Sequence, residues 1–143
     1  WKNNKFEAKI YHIPGHTSGH VCYHFFNQNI LFTGDTLFSL GCGRIFEGTY
    51  EEMFSSLQLI KSFPGDTKIY CGHEYTLKNS EFCIKHDENN PTLKEKIKLV
   101  KTNLEKGLPT IPTTIKEELE CNIFLRSKDV QSFSKLRDLK DNF

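Results

Sequence analysis

Three side chains able to bind a metal are delivered by one local pattern, each just past a glycine that closes an apolar, strand-like run. They are His16 in Ile10-Tyr-His-Ile-Pro-Gly-His16, Asp35 in Ile30-Leu-Phe-Thr-Gly-Asp35, and His73 in Lys68-Ile-Tyr-Cys-Gly-His73. Short buried strands ending this way would aim all three at one mouth of a sheet. Two imidazoles and a carboxylate suit zinc or another borderline divalent cation, and a hydrolytic centre needs deprotonated ligands with a position left open for water. A single His or Asp at a strand end is usually a hydrogen-bonded loop anchor. Three with the same grammar, one of them a carboxylate that is costly to bury without a partner, point instead to part of a metallohydrolase site. His20, four residues past His16, is expected to steady the loop from behind the ligands. His12, His24 and His86 lack the pattern and read as structural or surface residues.

The elements that must position these groups follow from periodicity. Residues 6–13, 20–26, 30–33 and 67–71 are aromatic and β-branched runs broken by Gly, Pro and Asn, the signature of strands. Thr49-Tyr-Glu-Glu52 is a capping box that opens a helix burying Met53, Leu57 and Ile60, with Pro64-Gly65 as its stop. Beyond residue 75 the pattern turns helical. Thr76 is the expected cap of a helix to about His86, and Asn90-Pro-Thr opens another with Leu93, Ile97, Val100 and Leu104 on one face and Gly107 at its end. Thr114-Ile-Lys-Glu117 is a second capping box, and a last helix is expected from about Lys128. Strands followed by helices predict an α+β chain: residues 1–75 form the sheet-rich part carrying the site, and residues 76–143 form a helical part closing over it.

Composition narrows the partners. With 143 residues the chain is long enough for one domain, or for a small domain with an appendage. Lys+Arg is 19 and Asp+Glu is 18, a net charge of +1, which argues against a nucleic-acid surface or an electrostatic membrane anchor. No apolar run approaches a membrane span. The five cysteines are odd in number and form no CxxC pair, so they read as reduced, mostly buried thiols of a cytoplasmic protein. Trp at position 1 leads us to expect a chain that opens inside a longer sequence.

Several segments together resemble one family. Gly15-His-Thr-Ser-Gly-His20, Phe32-Thr-Gly-Asp-Thr-Leu-Phe38, Gly41-Cys-Gly-Arg-Ile-Phe-Glu-Gly-Thr49 and Tyr70-Cys-Gly-His-Glu-Tyr-Thr76 are similar to motifs of the hydroxyacylglutathione hydrolases, the second glyoxalases, within the metallo-β-lactamase superfamily. Asn122-Ile-Phe-Leu-Arg126 and the tail Leu136-Arg-Asp-Leu-Lys-Asp-Asn-Phe143 extend the likeness to the last residue. The resemblance implies part of an αβ/βα sandwich followed by a C-terminal helical domain. It also implies two divalent metal ions, zinc first, with iron or manganese as alternatives. His16 would bind the first metal, Asp35 would bridge both and take a catalytic part, and His73 would bind the second. Arg44, Tyr75, Arg137 and Lys140 match contacts to the glutathione part of the substrate, while Phe46 stands where some members have a tyrosine. From the residues alone, Arg137 and Lys140 would be an ordinary solvated helix face and Tyr75 a packing aromatic.

The reaction implied is hydrolysis of S-(2-hydroxyacyl)glutathione, notably S-D-lactoylglutathione, to glutathione and D-lactate, a step in methylglyoxal detoxification. The family draws four further ligands from a His-x-His-x-Asp-His run, and no such run occurs in these 143 residues. The likeness is therefore to the C-terminal portion of the enzyme, with a complementing N-terminal fragment as a possible partner and a monomer as the expected complete form. Two other readings stand beside it. One is another metallo-β-lactamase-fold thioester hydrolase or a thiol dioxygenase; the other is a non-catalytic remnant or complementing fragment of a split hydrolase.

Overall fold

The strand-forming runs pair into one mixed sheet, described with the rest of residues 1–143 in a computed structural model. Its strands are β1 (Lys9–His12), β2 (Val21–Phe25), β3 (Ile30–Gly34), β6 (Lys68–Cys71) and β7 (Thr113–Thr114), in the order β1-β2-β3-β6-β7. β1 to β3 form an antiparallel meander, β6 runs parallel to β3, and β7 returns antiparallel to β6. A small ribbon of β4 (Leu37–Phe38) and β5 (Gly41–Cys42) lies between β3 and helix α1 (Tyr50–Lys61) in the chain. The helices that follow are α2 (Thr76–His86), α3 (Pro91–Glu105), α4 (Ile115–Cys121) and α5 (Val130–Asp141).

Alternation along the strands gives the sheet two unlike faces. Cys22, Leu31 and Ile69 point inward and are fully buried, in one cluster with Met53, Leu57 and Ile60 of α1. That helix is the crossover which parallel strands require, and its capping box forms as predicted, with Thr49 and Glu52 each satisfying the other's backbone N–H. The opposite face carries Ile10, Tyr23, Phe32 and Tyr70, which stand opposite one another in register across four strands. Ile10, Tyr23 and Phe32 are exposed, and Phe32 stacks on Tyr70 with ring centroids 5.4 Å apart.

The helices share the sheet's core. Phe82, Cys83, Leu93, Phe124 and Phe133 belong to the same buried cluster as the strands. All five cysteines are free; burial pushes Cys22 and Cys121 up to about 11 and Cys83 up to about 12, so these three remain neutral thiols. No helix is long and apolar enough to cross a membrane.

Local details depart from expectation where tertiary contacts win. Thr76 lies inside α2 rather than capping it; Tyr75 takes the cap position without a side-chain bond, and the Thr76 hydroxyl accepts from Thr110 at 2.6 Å. Leu93 and Val100 of α3 are buried but Leu104 is exposed, because the apolar stripe outlasts the contact it serves. β1 is shorter than the apolar run containing it, and the two-residue strands β4, β5 and β7 are too short to show any period.

Candidate active site

Three loops converge at one edge of the sheet. β3 and β6 are parallel neighbours, so the segments leaving their carboxyl ends lie side by side, the usual place for a site in such sheets. Asp35 follows β3 and His73 follows β6, and the Gly72 N–H donates to the Gly34 carbonyl at 2.8 Å, tying the two exits together. The connection from β1 to β2 brings His16. Its Nε2 lies 3.6 Å from Asp35 Oδ2, and His73 Nε2 lies 3.3 Å from Asp35 Oδ1. The three predicted residues therefore meet, in the form of two pairs sharing one carboxylate. No three His, Cys, Asp or Glu side chains surround a single point.

Neighbouring groups fix this arrangement. His16 Nδ1 donates to the Arg44 carbonyl at 2.7 Å, which leaves the Nε2 lone pair facing Asp35. The Asp35 N–H donates to His20 Nε2 at 3.1 Å, so His20 steadies the loop from behind, as its position in the sequence suggests. Gly72 and Gly43 give the carboxylate room: a Cβ on Gly72 would collide with Asp35 Oδ1, and one on Gly43 would collide with the Asp35 carbonyl. Asp35 Oδ1 is buried and accepts no hydrogen bond. An orphaned carboxylate oxygen facing an imidazole nitrogen, with a second imidazole on the other oxygen, fits divalent cations in donor chemistry, as part of a ligand set that these three residues do not complete.

Beside this centre is a cavity of about 370 Å³ whose lining includes Phe38, Arg44, Tyr75, Arg137, Lys140 and Asp141. All four predicted substrate-contact residues are thus gathered in one place. Tyr75 links it to the histidines, stacking on His73 at 4.7 Å and meeting Phe38 edge-on at 5.4 Å. Phe46 is exposed and packs against the His16 ring at 5.1 Å.

The two arginines are unlike. Arg44 is 54% exposed with its Nε 3.3 Å from Asp141 Oδ1, whereas Arg137 is only 4% exposed, so it is not the solvated side chain its helix position suggests. Arg137 donates from Nη1 to the Cys42 carbonyl at 2.7 Å and from Nε and Nη2 to Asp141 Oδ1, and it lies over the Phe124 ring. The Lys140 ammonium lies over the Phe82 and Phe143 rings, and burial, then the nearby Arg137 charge, holds its pKa below the ordinary lysine range.

A buried network supports the cavity wall from below. Glu118, fully buried on α4, accepts from the Leu40 N–H at 2.8 Å, from Asn122 Nδ2 at 2.9 Å and from Lys96 Nζ at 2.8 Å. Asn122 also donates to the Gly41 carbonyl at 3.1 Å. These bonds hold Leu40 at a φ of +60°, a left-handed conformation uncommon for leucine, in the turn between β4 and β5. Sequence reasoning missed Glu118 and Asp141 as contributors. Only Asp141's spacing of four residues from Arg137 hinted at its partner, since the other contacts of both residues are tertiary.

Two family descriptions divide the chain between them: "Metallo-beta-lactamase superfamily" matches residues 4–73, and "Hydroxyacylglutathione hydrolase C-terminus" matches residues 74–143. A hydroxyacylglutathione hydrolase of Pelagibacter ubique (strain HTCC1062) is 68% identical over all 143 residues. The chain is thus similar to hydroxyacylglutathione hydrolases along its whole length. A hydroxyacylglutathione hydrolase of Prochlorococcus marinus (strain MIT 9301) is 48% identical over 136 residues, 94% of this chain. The chain spans 60% of the length of the first of these relatives and 55% of the second. Among solved structures, ETHE1 from Myxococcus xanthus aligns with a TM-score of 0.67 at 23% identity, covering 96% of this chain and 48% of its own. The BLEG-1 B3 metallo-beta-lactamase aligns at 0.60 and 23%, covering 89% of this chain and 45% of its own. These likenesses identify the α+β architecture of the chain as part of a metallo-β-lactamase fold.

Proposed function

We propose that this chain carries the Asp35 side of a binuclear metal centre and the glutathione cavity beside it, in an enzyme that hydrolyses S-(2-hydroxyacyl)glutathione. The preferred substrate is S-D-lactoylglutathione, giving glutathione and D-lactate and so detoxifying methylglyoxal. The observation that carries this reading is the Asp35 carboxylate, held between two imidazoles with its buried Oδ1 accepting no hydrogen bond, next to a cation-lined cavity. In the proposed assignment His16 would hold one cation, His73 the other, and Asp35 both, with zinc first and iron or manganese as alternatives that imidazole and carboxylate ligands also accept. Divalent ions bound there supply a water acidified toward neutral pH and a Lewis acid for the thioester carbonyl.

The remaining work belongs to the chain's own side chains. Asp35, anchored through its N–H to His20, keeps its carboxylate fixed between the imidazoles. Arg44, with both Nη groups unpaired, and Lys140, held over two rings, give charge-assisted hydrogen bonds to the carboxylates of glutathione. Arg137 shapes the floor of the cavity, and Tyr75 offers its hydroxyl and a stacking face between the two sites. A thiolate leaves readily, so the reaction needs no strong general acid from this wall. In this division of labour residues 1–75 present the metal ligands together with Arg44 and Tyr75, and residues 76–143 add Arg137 and Lys140. The five free thiols support a cytoplasmic setting.

The test is hydrolysis of S-D-lactoylglutathione by the zinc-loaded chain, alone and mixed with the part of the Pelagibacter relative that it does not match. Turnover that needs both parts, lost on Asp35→Asn, is the expected result. Enzyme-like turnover by the chain alone would overturn the reading that ligands are missing. Absence of zinc binding in both samples would overturn the metal assignment. A second reading, a complementing segment that binds without catalysing, is favoured by the exposed row Ile10, Tyr23 and Phe32. It predicts a stable complex with the other part and no turnover.

A further inference from the structure

The two imidazoles that face Asp35 are not held alike. His16 is fixed through its ring, with Nδ1 bonded to the Arg44 carbonyl at 2.7 Å. His73 is half-exposed and its Nδ1 has no partner in the chain; the ring meets Asp35 through Nε2 and stacks on Tyr75. Its place must therefore be set by its main chain. Before it, the Gly72 N–H is bonded to the Gly34 carbonyl. After it, no backbone bond ties residues 73–75 to a neighbouring strand, because β6 leaves its ladder with β7 at the Ile69–Thr113 pair.

Glu74 fills that gap. Its Oε1 accepts from the Thr110 N–H at 2.9 Å and from the Ile111 N–H at 3.2 Å, and its Oε2 lies 2.5 Å from the Thr110 hydroxyl. One exposed hydrogen bond would be exchanged for water at little cost, but three donors converging on a single carboxylate fix its geometry. The segment it grips is rigid in turn. Thr113, buried on β7, donates from Oγ1 to Glu118 Oε1 at 2.6 Å and accepts from Lys96 Nζ at 2.7 Å. Contacts thus run from the buried Glu118 through Thr113 and Thr110 to the residue beside His73. On the metal reading given above, we propose that Glu74 is a positioning residue of the centre, holding His73 level with Asp35 by clamping residues 72–76 to the segment before β7. It acts through the main chain and binds no cation itself.

The test compares Glu74→Ala, Glu74→Asp and Glu74→Gln with the unaltered chain by two measurements. The first is proton NMR of the metal-free chain at about pH 8.5, where an ordinary imidazole is neutral, with the His73 signals assigned from His73→Gln. Stacking on Tyr75 gives those signals an upfield ring-current shift. That shift should be lost in Glu74→Ala and in Glu74→Asp, whose shorter side chain falls short of Thr110. It should persist in Glu74→Gln, whose amide oxygen replaces Oε1 as the acceptor for both N–H groups. The His16 signals should not move in any variant. The second measurement is cobalt titration, in which Glu74→Ala and Glu74→Asp should weaken binding by about tenfold or more and Glu74→Gln by less than about threefold. His73 signals that stay in place in Glu74→Ala or Glu74→Asp overturn the proposal, even where the urea midpoint falls, because Glu74 would then serve the fold alone. Equal movement of the His16 signals overturns it too, as a general loosening. Glu74→Asp carries the test if Glu74→Ala does not fold. Cobalt binding that these two variants leave unchanged overturns this inference alone, whereas no binding by the unaltered chain overturns the metal reading and this inference with it.

Discussion

Asp35 depends on its neighbours having no side chains. Gly72 and Gly43 each leave the space that the Asp35 carboxylate or carbonyl fills, so an added methyl must push the loop away from His16 and His73. We predict that Gly72→Ala weakens zinc binding by about tenfold or more, read by competition with a chromophoric chelator. Unchanged affinity would show that the carboxylate has room to spare. Asp35→Asn should abolish zinc binding while leaving the urea midpoint of the metal-free chain equivalent to within about 1 kcal/mol, because the orphaned Oδ1 contributes no hydrogen bond to the fold. A much larger loss would make Asp35 a structural anchor instead. At this scale the sequence was informative for His16, Asp35 and His73, whose strand–glycine–ligand pattern is local. It was silent on Asp141, which is joined to Arg44 only when the last helix docks.

Between residue and fold, the turn joining β4 to β5 shows how a helix far along the chain shapes the cavity. Glu118 and Asn122 of the α4 region hold that turn through the Leu40 N–H and the Gly41 carbonyl, and the same ribbon presents the Cys42 carbonyl to Arg137. Burial alone would lower the Lys96 pKa, but the adjacent Glu118 carboxylate offsets this and holds it above the ordinary lysine range. Glu118→Ala strands that ammonium in the interior and should cost about 3–5 kcal/mol in urea unfolding. Replacing both partners, Glu118→Leu with Lys96→Met, should recover most of the loss. A cost below about 1 kcal/mol for Glu118→Ala would show that water reaches the pair. Both Thr-to-Glu capping boxes were legible because a cap is written in four consecutive residues. The ribbon was not, since its strands carry no period and its bonds go to residues nearly 80 positions distant.

For the molecule as a whole, the outer face of the sheet is the least settled surface. Ile10, Tyr23 and Phe32 form an exposed apolar row where a soluble domain usually places polar residues. We predict that the isolated chain binds a hydrophobic dye and self-associates. Tyr23→Thr combined with Phe32→Thr should reduce both effects while costing no more than about 1.5 kcal/mol of stability, the order of an aromatic pair. Dye binding equal to that of an ordinary domain would show the row to be harmless. The composition and strand pattern predicted an α+β chain, yet a period of two alone cannot tell which face of a sheet will be covered.

The parallel pairing of β3 with β6 has a consequence for how the protein comes into being. The first three strands can zip together as a local meander, but Asp35 meets His73 only after α1 has closed the crossover and the fourth strand has docked. On the proposed assignment, completion of the His73 half of the centre would be a late event on the folding route. A nascent chain that has emerged only as far as the meander would bring His16 to Asp35 but lack His73, and uptake of the second cation would report that the crossover has been completed.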